Sequence, residues 1–325
     1  MVSSMRMLPL GRSGIDVSEF LFGAGGIGGV GSSRTAIGKG LTLDQGLSRL
    51  DEAWERGIRV IDTADSYAAG DSEKAVGRWL GEREPDGAIV ATKVGAPIEH
   101  WEDRVDLSPK HIERQLTVSI RRLGRVDLYL SHAPDPQVPL AATMSAFAEA
   151  IGERRIRAWG CSNVTVRDLE ALLSVADSEG LPRPEWVQNG FNLALRGDER
   201  DLLPLVAAEG LGYTPYSPLA GGVLSERYLK GAEVVPGSRI DVARAFYADF
   251  LTDAALARVQ LLADLARDLD VSTAGLALAW LRRHPDVTAP IISPRTEAQW
   301  QAVDEALELD LGEEEFEAAG ALFPS

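Results

Sequence analysis

Short apolar runs alternate along the chain with longer segments whose apolar residues recur every three or four positions. The apolar runs are Phe20–Gly23, Ile58–Ile61, Ala88–Thr92, Val126–Leu130, Ile156–Gly160, Trp186–Gln188, Gly212–Tyr216 and Pro290–Ile292. Most are rich in β-branched or aromatic residues and lack clean two-residue polarity, which predicts strands buried on both faces. Helical spacing covers Leu43–Arg56, Ser72–Glu82, Ser108–Leu123, Pro139–Arg154, Val166–Ala176, Glu199–Glu209 and Thr273–Arg283, with Thr296–Leu307 after the last run. Ser108 before Pro109, Thr165 and Ser272 read as helix starts, and Gly57, Gly124, Gly180 and Gly210 fall near helix ends.

Eight strand-then-helix units at this spacing predict an α/β fold, a single (β/α)8 TIM barrel over residues 1–325, rather than an open doubly wound sheet. Met7–Val17 reads as an N-terminal β-hairpin turning at Arg12-Ser13-Gly14, and an extra helix is expected at the C-terminus. Val223–Ala248 is a long insertion after the seventh strand, a length that usually signals function.

Gly23-Ala24-Gly25-Gly26-Ile27-Gly28 matches G-x-G-x-x-G after a predicted strand, with Asp44 further on. A dinucleotide fingerprint needs its third glycine inside a helix that starts at once. Here Gly29-Val30-Gly31-Ser32-Ser33 follows, so the segment reads as a flexible loop over one barrel mouth.

Composition narrows the function classes. Hydrophobic residues make up 45% of the 325 and charged residues 25%, as in a globular protein with a real core. The net charge of −16 argues against a nucleic-acid partner, while leaving room for a local basic pocket. No run is long and apolar enough for a membrane span, the first ten residues lack a secretory core, and a cytoplasmic protein is expected. Cys161 is the only cysteine, which excludes a disulfide framework and a cysteine metal site; it reads as a small core residue. Only five lysines occur, and Lys93 directly follows an apolar strand.

Barrel active sites lie at the C-terminal ends of the strands. Reading only those positions gives Asp62 with Tyr67 beyond it, then Lys93, His132, Ser162-Asn163, Gln188, Tyr216-Ser217 and Ser293-Pro294-Arg295. The first four suit carbonyl reduction. The alkoxide that develops on hydride transfer needs a proton, and tyrosine, with a reference pKa of ~10, is a reluctant donor at neutral pH. A neighbouring ammonium favours the phenolate, and a buried carboxylate keeps that ammonium charged. Tyr67 is then the candidate general acid, tuned by Lys93 and Asp62, with His132 polarising the carbonyl. Singly, each has a bland alternative: a loop carboxylate, a packed tyrosine, a snorkelling lysine, a structural histidine. Four such accidents on successive strand ends are harder to accept. Trp101 could line a substrate pocket or simply pack its loop.

Several segments carry a resemblance. Ile61-Asp62-Thr63-Ala64-Asp65-Ser66-Tyr67, Ala91-Thr92-Lys93, Asp127-Leu128-Tyr129-Leu130-Ser131-His132, Gly160-Cys161-Ser162-Asn163 and Tyr216-Ser217-Pro218-Leu219-Ala220-Gly221-Gly222 resemble the aldo-keto reductase superfamily, in order along the chain. His132-Ala133-Pro134-Asp135 and Gly70-Asp71-Ser72-Glu73 look most like its aflatoxin-aldehyde reductases and related bacterial enzymes. The resemblance implies a reductase of small-molecule aldehydes or ketones, with NADP(H) preferred, NAD(H) possible, and Asp62, Tyr67, Lys93 and His132 as its tetrad. It implies that Ser162, Asn163 and Gln188 hold the nicotinamide carboxamide and that Tyr216 stacks on the ring. Gly23, Ser217, Leu219, Gly221, Arg227 and Arg239 are expected along the rest of the cofactor, with Arg295 and Gln299 near its adenosine end. A guanidinium at Arg295 suits a 2′-phosphate. Val303 stands where relatives usually carry asparagine, and Ser293-Pro294 replaces a glycine-containing pair. A dehydrogenase running in reverse on a sugar or alcohol, and a nicotinamide-binding regulatory subunit, remain as alternatives. The oligomeric state is left open.

Overall fold

Strands apolar on both faces must be covered on both, and the eight apolar runs meet that demand by closing into a ring. In the computed structural model, residues 5–98, 104–229 and 231–323 are described. A hairpin comes first, with β1 (Met7–Pro9) antiparallel to β2 (Asp16–Ser18). The ring strands are β3 (Leu21–Gly23), β4 (Val60–Asp62), β5 (Ile89–Val94), β6 (Leu128–Ser131), β7 (Ala158–Ser162), β8 (Trp186–Gln188), β9 (Gly212–Tyr213) and β10 (Ile291–Ile292). They pair in parallel in chain order, and β10 returns to β3. The remaining gap is bridged by the Ile291 N–H donating to the Pro215 carbonyl at 2.8 Å and the Thr288 N–H donating to that of Tyr213 at 2.8 Å.

Helices α1 (Leu43–Glu55), α2 (Asp71–Arg83), α3 (Pro109–Leu123), α4 (Leu140–Gly152), α5 (Val166–Glu179) and α6 (Leu202–Ala208) follow strands β3 to β8 in turn. After β9 come α7 (Arg239–Val242), α8 (Arg244–Tyr247), α9 (Asp253–Asp268) and α10 (Thr273–Arg283); after β10 come α11 (Glu297–Glu308) and α12 (Glu313–Ala321). Thr165 and Ser272 cap α5 and α10 by accepting the N–H groups of Asp168 and Gly275. Ser108 occupies the N-cap of α3 without a side-chain cap bond. The insertion is therefore partly helical, and α9, which periodicity did not single out, lies just beyond it.

Two cores result. A large one fills the space between strands and helices. The smaller one lies inside the ring, where Val60, Ile89, Ala91, Leu128, Leu130, Ala158 and Trp186 meet Leu10, Ile15 and Val17 of the hairpin, which plugs one end. Side chains alternate along a strand, so the next inward position above Val60 is Asp62. By the same step Ala91 leads to Lys93, Leu130 to His132 and Trp186 to Gln188, while two steps from Ala158 reach Ser162. The last inward layer of the ring is thus polar, at the end opposite the hairpin.

The glycine-rich segment forms a loop at that mouth, as expected, with α1 starting only at Leu43. Backbone bonds pin it: Gly31 N–H to the Gly25 carbonyl at 2.6 Å, Gly28 N–H to that of Leu41, and Leu41 N–H to that of Gly26, both at 2.8 Å.

Candidate active site

Lys93 is the centre of the polar layer. Its side chain is only 1% exposed, and a buried ammonium must be paired and hydrogen-bonded. Nζ donates to Asp62 Oδ1 at 2.7 Å, to the Thr63 carbonyl at 2.8 Å and to Tyr67 Oη at 3.2 Å. Burial alone would lower its pKa; attraction to Asp62 and then Tyr67 outweighs that and holds it above the ordinary lysine value. The other oxygen of Asp62 accepts from Gln188 Nε2 at 2.9 Å, across the ring from β8.

Tyr67 is delivered by a strained turn. Ala68, Ala69 and Gly70 take φ of 50°, 53° and 92° in succession, and a left-handed alanine costs roughly 1 kcal/mol or more. Ala68 N–H donates to the Gly31 carbonyl at 3.3 Å, and Ser66 Oγ lies 2.8 Å from Ser32 Oγ, so the glycine loop braces this turn. Gly25 faces the phenol ring so closely that a Cβ there would lie 3.1 Å from Cε2. Five of the nine non-glycine residues with positive φ among the described residues, Ala68, Ala69, Asn163, Ser217 and Ala220, ring this mouth. Backbone strain of this kind gathers at functional sites.

His132 meets Tyr67 edge-on, with ring centroids 5.8 Å apart. Part of its surface is open at the mouth, yet protein encloses the ring; that enclosure, and then the Lys93 charge, pull its pKa down to about 3. Nδ1 is buried without a hydrogen-bond partner. The His132 carbonyl accepts from Asn163 Nδ2 at 2.7 Å, and Asn163 Oδ1 accepts from Tyr216 Oη at 2.7 Å. Ser162 Oγ donates to the Gln188 carbonyl at 2.6 Å. Burial, followed by the neighbouring Tyr67, pushes the Tyr216 phenol up to about 12. Asp62, Tyr67, Lys93, His132, Ser162, Asn163, Gln188 and Tyr216 thus form one hydrogen-bonded or ring-contacting cluster.

The other candidates line the rim. Gly23, under Ser293, leaves no room for a Cβ, and its carbonyl accepts from Ser293 Oγ at 2.6 Å. Arg295 packs its guanidinium over Gly26, and Arg239 reaches over from α7 to Gly31. Burial and then Arg239 lower the pKa of Arg295, and neither arginine pairs with a carboxylate among the described residues. Two guanidiniums on one loop without a counter-charge suit phosphate anions. Gln299 Oε1 accepts the Arg295 N–H at 2.7 Å, so it also serves as a cap for the Arg295 turn. Leu219 precedes a tight turn, Ala220–Ser225, and Gly221 packs under Ile240 and Tyr247. Arg227 is exposed beyond that turn. Val303 faces the core rather than the mouth, and Trp101 lies outside the described residues.

Some participants had no sequence signal. The Thr63 carbonyl is backbone, and the Gln188–Asp62 bond spans 126 residues. Tyr247, given no role from sequence, shares a 2.9 Å hydrogen bond with Ser217 Oγ. Among the described residues no group of acidic, histidine or cysteine side chains could hold a metal ion, and no helix is long and apolar enough to cross a membrane.

Comparison with known proteins identifies the family. The profile of the Aldo/keto reductase family matches residues 22–322. A Schizosaccharomyces pombe protein named "Putative voltage-gated potassium channel subunit beta" is 32% identical, over 87% of this chain and 82% of that protein. The uncharacterized oxidoreductase YrpG of Bacillus subtilis is 30% identical over 97% of this chain and 95% of its own length. Versiconal hemiacetal acetate reductase of Aspergillus parasiticus is 27% identical over 93% and 92%. In structure, the glycerol dehydrogenase AKR11B4 from Gluconobacter oxydans superposes with a TM-score of 0.81 over 97% of this chain and 94% of that one, at 24% identity, which speaks for the shared barrel. The chain belongs to the aldo/keto reductase family of NAD(P)H-dependent oxidoreductases.

Proposed function

We propose that the protein reduces a small aldehyde or ketone to the alcohol, with Tyr67 as general acid and NADPH as the preferred cofactor. One observation carries this reading: a fully buried ammonium, Lys93, bridges Asp62 and Tyr67 at an open barrel mouth. A bound nicotinamide cofactor supplies the hydride. Tyr67 Oη gives its proton to the carbonyl oxygen, Lys93 stabilises the phenolate left behind, and Asp62 keeps Lys93 charged. His132, neutral because of its lowered pKa, donates a hydrogen bond to the same oxygen. With Nδ1 enclosed, that contact falls to Nε2.

Ser162, Asn163 and Gln188 are the residues for the carboxamide, and Tyr216 for the ring face. Ser217, Leu219, Gly221, Arg227 and Arg239 would border the pyrophosphate, with Gly23 at the mouth and Arg295 and Gln299 at the adenosine end. Arg295, at the adenosine end and without a carboxylate partner among the described residues, supports NADPH over NADH, since a 2′-phosphate takes bidentate guanidinium bonds. Initial rates with each reduced cofactor on 4-nitrobenzaldehyde, then with the oxidised cofactors on a sugar and alcohol panel, measure preference and direction. Tyr67→Phe should lower kcat by at least about 100-fold while cofactor binding, read by fluorescence quenching, survives. Wild-type kcat in that variant would remove Tyr67 from its role.

A second reading, a nicotinamide-binding regulatory subunit, is favoured by the names of three relatives, each 32–33% identical. Recovery of a stoichiometric membrane partner, with no turnover by the free protein, would select it.

A further inference from the structure

Glu73 is a fully buried carboxylate behind the mouth, and the proposed proton path leaves it without a task. It stands in the first turn of α2, where the helix dipole suits an anion. Oε1 accepts from Thr92 Oγ1 at 2.7 Å, and Oε2 accepts from Arg122 Nη1 at 2.9 Å. Thr92 is the outward-facing neighbour of Lys93 on β5. Arg122 comes from the last turn of α3, where a cation suits the dipole. Its guanidinium lies over Gly70, the last residue of the strained Tyr67 turn, so close that a Cβ on Gly70 would stand 2.2 Å from Nη1. The backbone of Arg122 is packed closely against α2, its carbonyl 1.9 Å from where a Cβ on Gly77 would be. One ion pair therefore touches both the strand that carries Lys93 and the turn that carries Tyr67.

We propose that Glu73 and Arg122 are positioning residues that set the Tyr67–Lys93 distance, an inference that rests on the reading of those two as the catalytic pair. The Nζ–Oη contact, at 3.2 Å, is the longest of the three bonds made by Lys93, and its strength depends on where two separate elements are held. Three successive left-handed residues follow Tyr67, so the turn would relax if nothing held its end. The ion pair blocks that relaxation at Gly70 and, through Thr92, holds β5 at a fixed height relative to it. Neither residue touches the reacting atoms.

Glu73→Gln is the test, because it keeps the side-chain shape and an acceptor for Thr92 but removes the charge facing Arg122. Turnover of 4-nitrobenzaldehyde with NADPH, its pH profile, cofactor affinity and thermal melting are measured on the full chain, with Tyr67→Phe in parallel. A shift of the Tyr67 turn should lower kcat by about 10- to 100-fold, move the kcat–pH profile, and leave cofactor Kd within roughly twofold. A folded variant with wild-type kcat and pH profile overturns the proposal, as does a loss that only tracks the folded fraction. Should Glu73→Gln fail to fold, Thr92→Val and Thr92→Ser decide. The proposal expects valine to lower kcat and shift the profile and serine to restore both; wild-type behaviour in valine overturns it. If Tyr67→Phe itself retains kcat, the catalytic pair is wrong and this inference falls with it. If Tyr67→Phe is inactive while Glu73→Gln is normal, only the positioning role is lost.

Discussion

Replacing Asp62 by asparagine removes the charge that faces Lys93 while keeping the side chain's shape. In the wild-type protein Lys93 is 1% and Asp62 4% exposed, with Nζ and Oδ1 2.7 Å apart. Removing one partner of such a buried pair leaves an uncompensated charge and costs about 3–5 kcal/mol. Gln188 adds to the loss, because its Nε2 donates to Asp62 Oδ2 at 2.9 Å and would meet an amide in its place. The cost depends on pH, and its sign follows from the lysine. In the wild type the folded-state pKa of Lys93 is raised, so its contribution is full below the unfolded lysine value of ~10.4 and fades as pH rises through the folded one. In Asp62→Asn the unpaired ammonium is disfavoured in the fold, and stability climbs as pH rises toward ~10.4 and the proton is shed. The gap between the two proteins is therefore widest near neutrality and narrows on the alkaline side. Urea denaturation followed by tryptophan fluorescence at pH 7 and pH 10 measures it. A deficit at pH 7 below about 1 kcal/mol, the scale of an exposed pair, or one that widens toward pH 10, refutes the argument.

Two further outcomes follow from the same mouth. His132, with its pKa lowered to about 3 by burial and then by Lys93, should contribute no limb to the kcat profile between pH 5 and 8. Its Cε1 proton shift should stay flat there, and the stability it lends, full above the unfolded value of ~6.5, should be lost progressively as pH falls from there to about 3. A histidine titration near pH 6.5 assigned to His132 would contradict this. Gly25→Ala places a Cβ 3.1 Å from the Tyr67 ring. Because a small misplacement of a reacting group can cost up to about 100-fold in rate, kcat should fall while the melting temperature changes little. An alanine variant with wild-type kcat would mean that the ring yields freely.

Much of the fold was legible because each strand of a closed parallel ring is apolar on both faces and each helix on one. Trp186–Gln188 and Thr273–Arg283 have the bounds read from the pattern. The helix α9 escaped notice because its apolar residues run round much of the surface: Val259 and Leu262 are buried, yet Leu261 is 52% exposed. The glycine-rich match was separable from a dinucleotide fingerprint because no helical pattern follows before Leu43. The loop's hydrogen bonds to its own backbone and its packing on Tyr67 involve residues distant in sequence, and no local pattern encodes them.

The sequence by itself determined which residues can bear the chemistry, since strand ends are marked by the change from apolar to polar residues at Asp62, Lys93 and His132. Only the tertiary structure decided how they meet. Ring closure turns the inward layer of five strands toward a common centre; parallel register pairs Asp62 with Ala91, one inward step before Lys93, whose long side chain reaches Asp62, with Gln188 across the ring. Glu73 and Arg122 show the same limit: one motif glutamate and one helix-end arginine, 49 residues apart. They become a clamp only when α2 and α3 pack against the same strand. Long-range pairing of buried charges depends on backbone approach, which has no local sequence code.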